Sequence, residues 1–129
     1  MENTLWTSVE NGLELYPNLD VWLKFSQQVE RDWLRAGMPD VEFDFSTPKG
    51  RRFYVTCLID CLGQNPELFF RYLYIVDIPE TWIKAWSHEA KKTDEELLEK
   101  IIERTMQKVI FRMQYSPDAQ GQDSLNWEG

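Results

Sequence analysis

Cys57 and Cys61 are the only cysteines of the chain, and they stand four residues apart. On a helix that spacing puts both sulfurs on one face, where they could share a metal. A closed zinc site takes four Cys or His ligands, and the chain has one histidine, His88. The spacing is also not the Cys-x-x-Cys of thiol oxidoreductases. With Phe53, Tyr54, Leu58 and Leu62 around them, the two thiols read as small core residues.

Three other clusters could do chemistry. His88 could act as a general base, but no Gly-x-Ser-x-Gly setting supplies a nucleophile, so it reads as a surface residue. Asp40, Glu42 and Asp44 alternate, so on a strand they share one face and could hold Ca²⁺ or Mg²⁺. The Asp-x-Asp-x-Asp-Gly order of a calcium loop is missing, and Arg51 and Arg52 are expected to neutralise the three acids instead. Lys49, Arg51 and Arg52 surround Gly50, but the glycine spacing of a phosphate loop is absent. No cofactor and no metal are therefore expected.

The aromatic set Phe70, Arg71, Tyr74, Trp82 and Trp86 is the strongest candidate, and it is non-catalytic. Tyr, Trp and Arg are the side chains over-used where proteins bind proteins. The chain has six tryptophans in 129 residues, and 14% of it is aromatic. That abundance implies a bulky core, adhesive surface aromatics, or both.

Composition narrows the partner. The net charge of −8 argues against nucleic acid and anionic membrane as partners. Residues 1–45 hold nine carboxylates against three cations, so a basic partner would meet this third of the chain. No stretch is apolar for the ~18 residues that a membrane span requires. The first residues lack a basic region followed by an apolar run, so a cytoplasmic protein with reduced thiols is expected.

The elements that position these residues are mostly helical. Residues 1–16 read as an irregular arm, broken at Asn11-Gly12. The stretch 16–37 reads as a helix started by Pro17 and Asn18, with Val21, Trp22, Phe25, Val29, Trp33 and Leu34 inward, and Lys24, Gln27, Gln28, Arg31 and Asp32 outward. Gly37 fits the left-handed position after it. Strict alternation over 41–46 predicts a short strand, and 51–54 could pair back on it in a hairpin near residues 41–54. A helix over 55–62 is preferred; its longer version starts with Thr47 as cap and Pro48 as first residue. Helices follow at 66–76, opened by Asn65-Pro66, and after Pro79. The last covers 94–114, with Thr93 and Glu96 as a capping box and Glu96–Lys100 as an ion pair.

The expected fold is a mostly α, single-domain bundle of about five helices over residues 1–115, with α+β as the alternative if the hairpin forms. Residues 116–129 are expected to be a disordered tail. The expected function is a non-enzymatic regulatory or adaptor module that binds another protein, or itself as a homodimer. The rival is a small-molecule-binding protein or enzyme with an aromatic-lined helical pocket.

Overall fold

A computed structural model of the chain describes residues 5–17 and 19–115. Six helices follow one another, with no strand among the described residues. They are α1 (Thr7–Leu15), α2 (Val21–Arg35), α3 (Pro48–Gln64), α4 (Pro66–Val76), α5 (Glu80–Ser87) and α6 (Asp94–Tyr115). The mostly α bundle is as expected, with one helix more. Residues 116–129, where the tail was expected, lie outside the described residues. No described helix is long and apolar enough to cross a membrane.

The long α6 is the spine, packing against α1, α2 and α4, while α3 leans on α4. Leu97, Leu98, Ile101, Ile102, Met106, Val109 and Met113 form its buried stripe. Its start is the expected capping box. Glu96 N–H donates to Thr93 Oγ1 (3.1 Å), and Thr93 N–H donates to Glu96 Oε1 (2.8 Å). That use of the Glu96 carboxylate explains why Lys100 pairs with Glu103 (3.2 Å) rather than with Glu96.

The extra helix is α1, where an irregular arm was expected. Gly12 does not break it, because a Cβ there would collide with the Met106 methyl group. The bare backbone lets α1 lie against α6, and packing outweighs the poor helix propensity of Gly. Trp6, just before α1, enters the core against Trp22, Phe25, Phe45 and Tyr54.

The expected strand and hairpin are absent. Phe43 and Phe45 do point inward while Glu42, Asp44 and Ser46 face solvent. The backbone partners, however, are side chains. Ser26 Oγ donates to the Phe43 carbonyl (2.7 Å), and Phe43 N–H donates to Glu30 Oε2 (3.0 Å). Arg51 Nη1 donates to the Phe45 carbonyl (2.6 Å). Alternation records which side is buried, not which backbone lies alongside. Residues 51–54 belong to α3, which begins at Pro48 under a Thr47 cap. Gly50 in its first turn has no room for a Cβ beside the Asp44 carbonyl, so the extended segment rests directly on the helix.

Two helix ends explain much of the geometry. After α2, Gly37 is left-handed (φ 93°), with Gly37 N–H on the Leu34 carbonyl and Met38 N–H on the Trp33 carbonyl. After α4, Asp77 takes the same role (φ 77°), with Asp77 N–H on the Tyr74 carbonyl and Ile78 N–H on the Leu73 carbonyl. A left-handed aspartate is unusual. Arg104 of α6 holds it, reaching both the Asp77 carboxylate (2.7 Å) and its carbonyl (3.2 Å).

The face of α2 needs a correction. Asp32 and Gln28, expected in solvent, are buried, whereas Leu34 is exposed. Lys108 of α6 explains it. Its ammonium donates to Asp32 Oδ2 (2.9 Å) and to the Ile75 carbonyl near the end of α4 (3.1 Å). Gln28 Nε2 donates to the other Asp32 oxygen (3.1 Å). One charge pair thus ties α2, α4 and α6 together.

Next to it lies the aromatic core. Trp33, Phe43, Tyr54 and Tyr72 meet at ring separations of 5.2–6.2 Å. The Tyr54 and Tyr72 hydroxyls are fully buried and 2.5 Å apart. Burial pushes both phenols well above their ordinary range, and the nearby Asp32 adds to this. The Trp33 indole N–H is buried without a partner among the described residues, at a cost of about 1–3 kcal/mol.

Candidate interaction surface

The five residues singled out in the sequence fall into three settings. Phe70 and Trp86 come together on the outside of α4 and α5, with ring centroids 5.9 Å apart and both half-buried. Phe69 supports Trp86 from inside (6.0 Å), and the Trp86 indole N–H donates to Asp94 Oδ1 (2.8 Å). Tyr74, one turn beyond Phe70 on α4, is 54% exposed, and its hydroxyl is 3.5 Å from Glu80 Oε2. Along α4 and α5 the three make a ridge whose inner rings are anchored and whose outer ring, held through its hydroxyl at Glu80, stands half in water.

Arg71 belongs elsewhere. Its guanidinium reaches back to the Ala36 carbonyl at the end of α2 (3.4 Å), so it steadies a helix terminus. Trp82 is separate again. It lines an open groove of about 380 Å³ between α1, α5 and the first half of α6. The Lys92 ammonium lies 5.4 Å from the centre of its ring. Ser8, Asn11, Glu99 and Glu103 share the groove. Of these four the sequence marks only Asn11, and that as a break with Gly12, since a groove needs three helices to exist.

The other clusters settle locally. Cys57 and Cys61 are free, half-buried thiols, and burial raises the pKa of both. Asp60 and the neighbouring Cys61 raise Cys57 further. Raised thiols are poor nucleophiles and poor metal ligands. Cys61 Sγ lies 3.7 Å from Met38 Sδ, in keeping with packing. His88 is exposed at the end of α5, its Nδ1 2.8 Å from Ser87 Oγ. Arg51 lies over the Trp22 ring (4.6 Å) and bonds the Phe45 carbonyl, rather than the acids at 42 and 44. The Ser46 hydroxyl and amide hold the Asp44 carboxyl below the usual carboxylate range. Among the described residues, no three His, Cys, Asp or Glu side chains are placed to hold a metal ion.

A second groove of about 260 Å³ runs between the start of α2 and residues 43–46, with Asp20, Trp22, Ser26 and Asp44 on its walls. Both grooves are open and edged by polar side chains, and the second also carries the rings of Trp22, Phe43 and Phe45. Comparison with known protein families, curated proteins and solved structures matches nothing to this chain.

Proposed function

We propose that the protein is a non-enzymatic interaction module that docks another protein, or a second copy of itself, on the Phe70–Tyr74–Trp86 ridge. The observation that carries this reading is the graded exposure of the ridge. Trp86 is fixed by its indole bond to Asp94 and by two phenylalanine rings, while Tyr74 one turn from Phe70 stands half in water. A rigid aromatic anchor beside an exposed tyrosine loses little conformational freedom on binding, which is the usual make-up of a binding hot spot. A regulatory or adaptor role in the cytoplasm accords with the acidic composition and unpaired thiols.

A photo-crosslinking phenylalanine analogue in place of Tyr74 tests the reading in the native host. An analogue in place of Glu67, exposed on the same helix, is the control. A discrete adduct from position 74 and none from position 67 is expected. An adduct of twice the chain mass identifies a homodimer, and any other mass a different protein. The same pattern from both positions, or none from position 74, overturns the reading.

A further inference from the structure

The groove beside Trp82 already contains a cation. Lys92 lies over the indole at 5.4 Å, the geometry in which a ring face attracts an ammonium or guanidinium. Around it, the carboxylates are unequally engaged. Glu96 is bound to Thr93 N–H, and Glu103 is paired with Lys100. Glu99 has no hydrogen-bond or ionic partner among the described residues, although it lines the same groove. Ser8 lines it as well, and its hydroxyl oxygen is buried without a partner. A buried hydroxyl normally finds one.

We propose that this groove recognises a lysine or arginine side chain from a basic segment of a partner protein. The incoming cation takes the place of Lys92 on Trp82, its charge meets Glu99, and Ser8 Oγ accepts one of its hydrogens. Charge complementarity selects the occupant, because the groove sets Glu96, Glu99 and Glu103 against Lys92 and Lys100, and the net −8 of the chain draws a basic segment at long range. Lys92 acts as an internal competitor that keeps the ring covered until the segment arrives. The inference names the partner chemistry of the proposed interaction module, but it stands on side chains separate from the Tyr74 ridge.

The test titrates the full chain with an octalysine peptide, followed by the Trp82 indole and the Ser8 and Glu99 amide resonances; octaglutamate and spermidine are run in parallel. Octalysine is expected to shift all three signals. Trp82→Phe and Glu99→Gln should each weaken it roughly threefold or more, a modest cation–π or surface charge contribution in each case. Lys92→Gln should strengthen it roughly threefold, and Lys91→Gln on the same loop clearly less. Lys91 is the charge control, because it pairs with Glu89 in solvent rather than with the ring. Equal gains from the two lysine variants, or octalysine shifts that avoid Trp82, overturn the site. Spermidine binding as tightly as octalysine would make the ligand a small polyamine and overturn the partner segment. Octalysine binding with no adduct from position 74 removes the ridge and leaves the groove, and the converse removes the groove alone.

Discussion

The two halves of α6 carry similar charged residues and use them differently. From its midpoint onward, Arg104 and Lys108 turn toward α4 and α2, and each reaches a carboxylate and a backbone carbonyl. Asp32, the partner of Lys108, is fully buried. Toward its start, Lys92 of the preceding loop rests on a ring face, Lys100 and Glu103 pair near solvent, and Glu99 faces an open groove. Lys108 ties helices together through a fully buried carboxylate, whereas the Arg104–Asp77 pair, like Lys100–Glu103, stays partly in solvent. Lys92 and Glu99, by contrast, stand at the wall of an open groove. The contrast between Lys108 and Lys100 is one of burial, not of residue type.

The strongest way to break the contrast is to remove one lysine from each half. Lys108→Met leaves the Asp32 carboxylate buried with only Gln28, and an uncompensated buried charge costs about 3–5 kcal/mol. Lys100→Met removes a pair at the edge of solvent, and a change within about 0.5 kcal/mol is expected. Urea unfolding of both variants measures the difference. Adding Asp32→Leu to Lys108→Met should recover most of the loss, because the unpaired charge is then gone. If the two lysine variants lose equal stability, water reaches Asp32 and the halves do not differ.

The tyrosine pair beside Asp32 tests how closed that side is. A phenol is charged when it loses its proton, and burial holds the Tyr54 and Tyr72 protons on well above the ordinary range. In the unfolded chain both ionise near pH 10. Above that pH the folded state keeps protons that the unfolded state releases, so stability falls as pH rises. The slope is about 1.4 kcal/mol per pH unit for each tyrosine. Below pH 9 the pair should contribute no pH dependence. Urea midpoints at pH 8, 9.5 and 10.5 check the sign, and Tyr54→Phe should reduce the alkaline slope by about half. An unchanged slope in that variant would show that Tyr54 is not sealed from water.

What could be read before the structure follows from the range of each interaction. The Thr93–Glu96 box, the Asn65-Pro66 start of α4 and the left-handed Gly37 all act within four residues, so local sequence carries them. Asp32 and Lys108 are 76 residues apart, and nothing local to α2 names the cation that lets a carboxylate face inward. A hint was present, since Val21, Phe25, Gln28 and Asp32 follow the 4-3-4 spacing of a buried seam. The alternation at 41–46 marked its buried side correctly and failed on backbone pairing, which depends on Ser26, Glu30 and Arg51. Phe70 and Trp86 were identified by type and do meet. Arg71 was identified by type too, yet it supports the end of α2. The groove went unseen because Gly12, which suggested a break, is what seats α1 against α6.

The finest comparison sets two left-handed residues against each other, Asp77 after α4 and Ala90 after α5 (φ 53°). Both close a helix, and Lys91 N–H returns to the Ala85 carbonyl beyond Ala90. Left-handed backbone costs an L-residue about 1–2 kcal/mol, whereas glycine adopts it freely. Ala90 has no compensating bond through its methyl side chain, so Ala90→Gly should stabilise the protein. Part of the relief is offset by the greater freedom of glycine in the unfolded chain, leaving a gain of about 0.5–1 kcal/mol. Asp77 holds the Arg104 guanidinium through its carboxylate. Asp77→Gly gives up that pair as it relieves the backbone, and the two effects should cancel to within about 0.5 kcal/mol. Thermal unfolding of the two variants, run together, reads the sign. A larger gain at position 77 than at position 90 would mean that the Arg104 clamp contributes nothing, and that the closed half of α6 is closed by Lys108 alone.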